Sequence, residues 1–293
     1  FFTGLKSSNP RTSLEAVIAT TRLRLNDLAP QIADSLGNAD PVIAHTAFRA
    51  LAQLNAYAAC FAVVDNYDAP AAQRTGAMRA LMRMHNPQVV QGVLDRLAKE
   101  TGTEERKGLL SVLCRLHFVD GTWQGDSWGT RPDTRGPYYQ PDPWAETPKI
   151  AAALKQILAA AAPDEAAYLV AEMNRNRIQS SDALDRIIAL AAKDPKLAPD
   201  AVAQIAVSEN IPAAGIPILI EAANDPNAKP ATLAQAITAL AQTDSAPGAS
   251  AMLNALVVLD QVKGSGKEQD AGRSAFLSAP KLENIHQALE AEA

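Results

Sequence analysis

The sequence predicts an all-α fold: an α-solenoid in which antiparallel helix pairs stack on their neighbours. The first observation is composition, because 47% of the 293 residues are hydrophobic and only 5% are aromatic, so Ala, Leu, Ile and Val supply the core. Alanine and leucine enter helices at little cost, whereas β-branched and aromatic residues do not. The second observation is a repeat, since Leu51, Leu81 and Leu113 occupy matching positions at intervals of 30 and 32 residues. Such a period is typical of stacked helix–turn–helix units.

The repeated segments are DPVIAHTAFRALAQL, APAAQRTGAMRALMRM and TEERKGLLSVLCRL. Between them, residues 56–65 and 87–99 carry apolar side chains at i, i+3 and i+4 spacing and are predicted to be the partner helices. Pro41, Pro70 and Pro87 mark helix starts, because the first turn of a helix tolerates a residue without an N–H. Short Asn, Asp and Pro punctuation between the helices favours antiparallel neighbours.

Seven further helices follow residue 145 in the prediction, separated by Asp-Pro, Asn-Asp-Pro and Ala-Pro turns. The run KGSGKEQDAG after Val262 is predicted to be a flexible polar connector before one last amphipathic helix. The chain therefore divides into N-terminal repeats at 1–119, a loop at 120–147, C-terminal repeats at 148–262, and a linker with a terminal helix at 263–293. The seven helices are expected at about 146–160, 163–175, 180–193, 199–208, 213–224, 229–242 and 247–262.

The long loop at 120–147, which we call the aromatic segment, differs in composition from everything around it. Its sequence, DGTWQGDSWGTRPDTRGPYYQPDPWAET, contains all three tryptophans of the chain and two of its five tyrosines. Long loops that carry flat, half-polar rings and charges are usually binding surfaces or plugs. Three roles remain open: sealing a groove between repeat blocks, docking against another domain, and binding a carbohydrate. The candidate binding residues are Trp123, Trp128, Arg131, Asp133, Arg135, Tyr138, Tyr139 and Trp144.

Motifs for chemistry are weak elsewhere in the sequence. Cys114 and His117 lie one helical turn apart, but no second pair of ligands exists, so zinc is not expected. Asp120 and Asp126 flank a glycine-containing loop that lacks the ligand register of a calcium loop. Cys60 and Cys114 lie in apolar helical segments, where buried thiols are expected, and a disulfide stays open. No nucleophile elbow, phosphate loop or dinucleotide fingerprint occurs, so the sequence predicts that this chain is not an enzyme.

Charge and hydropathy restrict the partners. The net charge is −5 and no basic stripe is visible, so nucleic acid is not expected. No uncharged apolar run reaches about 18 residues, so no membrane span is expected. The chain opens with Phe1, Phe2 and Thr3 rather than Met, which suggests a processed product or a piece of a longer protein.

The helix-pair pattern is similar to HEAT repeats, and one stretch resembles a narrower group. Residues 107–150, together with the tail, resemble the HEAT-repeat region of very large secreted bacterial proteins. In those proteins a propeller-type sugar dehydrogenase-like module and a C-terminal c-type cytochrome domain flank the repeats. The matching positions are residues 114–116, Trp123, residues 128–134, 136–139, 144–148, 271–276 and 280–284.

The resemblance implies a periplasmic or secreted scaffold between redox domains, whose partners are other domains of the same polypeptide or a separate protein. An oligosaccharide is the alternative partner. The haem-attachment motif Cys-x-x-Cys-His does not occur in the chain, so no cofactor is expected here. Haem c would belong elsewhere in the parent protein.

Overall fold

A computed structural model describes residues 1–124, 139–208, 210–279 and 283–292, without the side chains of residues 284, 288, 289 and 292. These ranges contain seventeen α-helices and one short two-stranded ribbon. The predicted all-α class is therefore confirmed. The chain divides into two compact units, Phe1–Ile157 and Leu158–Ala293, which are described separately below. The four predicted segments follow sequence character, and their boundaries stay predictions.

The described residues of the N-terminal unit contain nine helices, the last of which ends three residues after Ile157. A 3₁₀ turn at Asn26–Leu28 precedes the third helix, and another at Asp34–Gly37 follows it. Strands β1 and β2 pair in antiparallel register, with Phe118 opposite Pro143 and Asp120 opposite Pro141. The elements are α1 Phe2–Leu5, α2 Pro10–Arg22, α3 Ala29–Ala33, α4 Pro41–Gln53, α5 Tyr57–Val64, α6 Ala71–Leu81, α7 Pro87–Leu97, α8 Thr103–Arg115, β1 Phe118–Asp120, β2 Pro141–Pro143 and α9 Thr147–Ala160.

Stacking of alternate helices gives this unit its solenoid character. Helices α2, α4, α6 and α8 contact one another in sequence, while α3 packs on α5, and α7 packs on α8. The repeat explains the contact, because α4 buries Ala47, Ala50 and Leu51 and α6 buries the three residues at the same offset. A helix with one apolar stripe is stable only when a neighbour covers that stripe.

Local capping sets where these helices begin. The side chains of Asn9, Asp40 and Asn86 each accept a hydrogen bond from a backbone N–H of the first turn, and a proline follows each cap. A side-chain oxygen at this position satisfies a donor that has no partner within the helix. Pro70 is itself the cap residue of α6. The three predicted starts are thus confirmed to within one residue.

The C-terminal unit repeats the arrangement. Helices α12, α14 and α16 form one run of contacts, with α10 against α12, and helices α13, α15 and α17 form a second run. This alternate stacking is that of a HEAT-like helical repeat. No described helix of either unit combines the length and apolar character needed to cross a bilayer. The helices are α10 Pro163–Arg175, α11 Ser181–Ala191, α12 Ala198–Ala206, α13 Ile216–Asn224, α14 Pro230–Leu240, α15 Ala246–Gln261, α16 Gly266–Leu277 and α17 Glu283–Glu292, with 3₁₀ turns at Pro195–Leu197 and Ala213–Gly215.

Two regions differ from the local prediction. The connector expected after Val262 is mostly helix α16, because Gln269 Nε2 donates to the carbonyl groups of Leu259 and Val262, and Gly272 lies directly against Ile237. Tertiary contact therefore orders a run that looks flexible by composition. The aromatic segment, expected to lack regular structure, has its two ends paired as β1 and β2.

Candidate functional site

A close backbone approach holds the two ends of the aromatic segment together. Gly121 N donates to the carbonyl oxygens of Tyr139 (2.8 Å) and Gln140 (2.9 Å). Tyr139 N in turn donates to Asp120 Oδ1 at 3.1 Å. A Cβ atom on Gly121 would lie 2.4 Å from the Gln140 oxygen, so only glycine permits this contact. Gln140 itself turns the chain with a φ of +45°. The base of the segment is consequently a narrow, backbone-defined neck.

The C-terminal end of α8 provides the anchor for this neck. Trp144 Nε1 donates to the Leu116 carbonyl at 2.7 Å, and Thr147 Oγ1 donates to the His117 carbonyl at 2.5 Å. Carbonyl groups at the end of a helix have no donor within the helix, so an outside donor stabilises them. Thr147 Oγ1 also accepts from Trp144 N at 2.9 Å, and Thr147 N donates back to the Trp144 carbonyl. This reciprocal turn begins α9 and fixes the indole.

Two histidines pack around the anchor as neutral groups. His85 Nε2 lies 2.8 Å from the Phe118 carbonyl and must donate there, because a carbonyl only accepts. The His85 ring also meets the Trp144 ring edge-on at 5.4 Å. Burial lowers the pKa of His85, although its bond to Phe118 opposes the shift. Burial likewise lowers the pKa of His117 to about 4.

The described part of the chain brings together no metal-binding group of three or more His, Cys, Asp or Glu side chains. Cys114 and His117 are both buried at the end of α8. Cys60 is a buried thiol in α5, and burial raises its pKa to about 12.

Three predicted site residues fall within the described structure, and each is half-buried. The indole N–H of Trp144 forms the hydrogen bond to the Leu116 carbonyl described above. Tyr139 lies at the neck, and its hydroxyl is 3.4 Å from the backbone N of Gln124. The indole Nε1 of Trp123 is buried and pairs with no acceptor in the described ranges. The remaining predicted residues, Trp128, Arg131, Asp133, Arg135 and Tyr138, lie outside the described residues, as does Asp126 of the calcium hypothesis.

Sequence reasoning missed four residues that build the neck. Thr147 had a usable signal, because a threonine directly before a proline is typical of a helix N-terminus. Gly121 follows Asp120 in a turn dipeptide, which indicates a turn but not a close approach. His85 and the Leu116 carbonyl gave no signal, since their partners lie 33 and 28 residues away.

Comparisons with known proteins add little beyond the fold. No protein-family model matches the chain, and no curated protein matches it significantly. Among solved structures, human deoxyhypusine hydroxylase in complex with glycerol aligns over 94% of both chains, with 14% sequence identity and a TM-score of 0.33.

This match contradicts the prediction that the chain is not an enzyme, because the matched protein is a hydroxylase. That prediction is wrong: it rested only on the absence of known catalytic motifs, and we withdraw it. At this level of similarity the match transfers no activity and no residue role to the chain.

Proposed function

We propose that this chain is a protein-interaction module of a larger periplasmic or secreted redox protein, with the aromatic segment as its docking surface. The observation that carries the proposal is the anchored neck at the end of α8. Trp144 Nε1 and Thr147 Oγ1 bind two carbonyl groups there, and the β1–β2 pair closes the base. The neck holds the two described ends of the segment together at the end of α8.

A fixed base supports docking for an energetic reason. Binding a partner costs conformational entropy wherever a loop becomes ordered, and a loop whose ends are already held loses less. Tryptophan, tyrosine and arginine are also the residues that most often dominate binding energy at interfaces. The segment thus combines interface chemistry with preorganised ends.

The two described tryptophans have different roles in this proposal. The N–H group of Trp144 is satisfied inside the unit, so its role is to seal the segment against α8. Trp123 lies two residues after Gly121 of the neck and is half-buried, so part of its side chain is open to a partner. We therefore assign docking to Trp123 and the remaining candidate residues, and sealing to Trp144.

Site-specific photo-crosslinking tests the assignment. The photoreactive amino acid p-benzoylphenylalanine replaces Trp123 in the protein from its native source, and cross-linked peptides are identified by mass spectrometry. Docking predicts links from position 123 to residues outside 1–157 or to a second protein. The same replacement at Tyr67, an exposed residue between α5 and α6, is the control and should not give those links. Links confined to residues 1–157 would overturn docking and leave sealing alone.

The redox context rests on the resemblance to secreted dehydrogenase–cytochrome proteins and has its own test. Intact mass and a visible absorbance spectrum are measured on the protein from its native source. A chain far heavier than 31.0 kDa with a haem Soret band supports the proposed context. A haem-free chain near 31.0 kDa would refute it, while leaving the docking proposal to the crosslinking result.

Carbohydrate binding is the second candidate, and Trp123 carries the observation that favours it. A sugar stacks its C–H face on an accessible aromatic ring, and Trp123 is only half-buried, so part of its ring is open to such a contact. All three tryptophans of the chain lie in the aromatic segment, so intrinsic emission reports on it directly. A saturable emission shift on adding oligosaccharides, lost in Trp123→Phe, would support this candidate. A flat response across a broad glycan panel would eliminate it.

A further inference from the structure

The N-terminal unit carries a groove between α2 and α4 that the proposed function does not use. Its volume is about 480 Å³, and its floor is partly apolar. Helices α2 and α4 contact each other as neighbours in the stack, and the groove lies between them. The lining residues are Ile18, Thr21, Arg22, His45, Thr46, Arg49, Ala50 and Gln53.

Two exposed arginines, Arg22 and Arg49, line this groove. Neither Arg22 nor Arg49 forms an ion pair within the described part of the chain. Arg74 and Arg96 differ, since each binds a carboxylate from another repeat unit. A guanidinium left without a carboxylate keeps its full capacity to bind one in two-point fashion.

The surrounding helices do not neutralise this charge. Helices α4 and α6 contain no Asp or Glu at all, and α2 contains only Glu15. Arg79 occupies in α6 the position that Arg49 occupies in α4, because each lies directly before a buried alanine and leucine at an offset of 30 residues. Both arginines are exposed on successive helices of one layer. The basic character of the groove therefore continues onto the next repeat unit.

The net charge of the whole N-terminal unit is also positive. Residues 1–157 contain 17 Lys and Arg against 15 Asp and Glu, whereas residues 158–293 contain 10 against 17. The N-terminal unit is thus positive by two charges and the C-terminal unit negative by seven, within a chain of net charge −5. Oppositely charged partners are steered towards such a region.

We propose that the α2–α4 groove binds an extended acidic peptide segment of a partner protein. Two spaced carboxylates of the segment would bind Arg22 and Arg49. Its backbone would form hydrogen bonds with the side-chain amide of Gln53. A backbone N–H of the peptide would donate to the Thr46 hydroxyl oxygen, because that hydroxyl already donates its proton to the Val42 carbonyl. The apolar floor at Ile18 and Ala50 would take a small apolar side chain.

A peptide fits these features better than a nucleic acid. Nucleic-acid surfaces neutralise many phosphates with a dense array of basic side chains. Here two arginines flank a short groove whose other lining groups are mostly apolar or neutral. Two separated guanidinium groups on adjacent helices can each bind one side-chain carboxylate of an extended peptide.

Fluorescence anisotropy of the complete chain with a fluorescein-labelled decaglutamate peptide tests the proposal. An exposed Arg–carboxylate pair contributes about 0.2–1 kcal/mol, so loss of both pairs in the double variant Arg22→Glu/Arg49→Glu should weaken binding by about 2- to 25-fold. Binding should also weaken as salt is raised to 0.5 M. Lys193→Glu, an exposed charge reversal in the C-terminal unit, is the matched control and should bind like the unmodified chain.

Three results would overturn the proposal. The first is no saturable binding of the peptide at low salt. The second is equal weakening by Lys193→Glu and by the double variant, which would show a general charge effect. The third is tighter binding of a labelled 20-nucleotide single strand that the double variant also abolishes, which would assign the groove to nucleic acid. Circular dichroism checks that each variant is folded, and Arg22→Gln/Arg49→Gln replaces the double variant if it is not.

Discussion

Acidification is expected to destabilise the N-terminal unit through His117. The side chain is 6% exposed, and the pKa of its imidazole falls to about 4 from an ordinary value of 6.5 because burial disfavours the charged ring. The unfolded chain therefore binds a proton near pH 6.5, whereas the folded chain binds it only near pH 4. Between these values the unfolded state holds more protons, so the free energy of unfolding falls as the pH falls.

The size of the effect follows from the interval between the two pKa values. At 1.36 kcal/mol per pH unit, the complete loss is about 3.4 kcal/mol, reached once the pH is below about 4. Between pH 7 and pH 4.5 the loss from this one group is about 2.4 kcal/mol, and about half of that has occurred by pH 5.5. Solvent screening reduces this little, because the ring is almost fully buried.

Urea unfolding followed by tryptophan emission measures the free energy of unfolding of the N-terminal unit, which contains His117, because every tryptophan of the chain lies in residues 120–147. The variant His117→Phe keeps an aromatic ring but cannot be protonated. Subtracting its pH profile from that of the unmodified chain removes carboxylates and other histidines that titrate in the same range. His286→Phe, in the C-terminal unit, is the matched substitution and should leave the profile unchanged. A difference between the unmodified chain and His117→Phe that stays within about 0.5 kcal/mol from pH 7 to 4.5 would refute the reasoning.

Three further outcomes are expected from the neck and the core. Gly121→Ala should lower the free energy of unfolding by about 1–3 kcal/mol, because the added Cβ would lie 2.4 Å from the Gln140 carbonyl oxygen. Gly266→Ala, where a Cβ has nothing within 4 Å, is the control and should be close to neutral. Equal values for the two variants in urea unfolding would contradict the neck geometry. Thr147→Val should cost about 1–3 kcal/mol, since both of its bonds to the neck are lost, and an unchanged unfolding midpoint would show that these bonds are not formed. Cys60 should resist alkylation by iodoacetamide at pH 8 until the chain is unfolded, and rapid labelling of the native protein would show that the thiol is accessible.

Helix positions could be predicted from the sequence because their causes are local. Apolar periodicity, capping side chains and first-turn prolines act within a few residues, and the seven helices expected after residue 145 lie within three residues of their predicted bounds. The repeat offset between Leu51 and Leu81 likewise predicted stacked helix–turn–helix units. Composition misled the prediction at α16, where hydrogen bonds from Gln269 order a polar run.

The candidate site was predicted only in part. Composition alone singled out the aromatic segment and its candidate residues, because clustered tryptophans are conspicuous in an aromatic-poor chain. Which residues hold the segment could not be predicted, since His85 and Trp144 meet across 59 positions of sequence. The hydrogen bond of the Trp144 indole depends on the Leu116 carbonyl at the end of α8, and a carbonyl is present at every residue.

The sequence by itself determined an all-α repeat protein with one aromatic segment, because helix propensity and apolar period are properties of short windows. Tertiary structure alone decided the neck, the neutral state of His117 and the basic groove. Arg22 and Arg49 are 27 positions apart and form no basic run in the sequence. They line one groove because α2 and α4 pack against each other. The positive charge of the groove therefore depends on contact between separate helices, which a short stretch of sequence does not show.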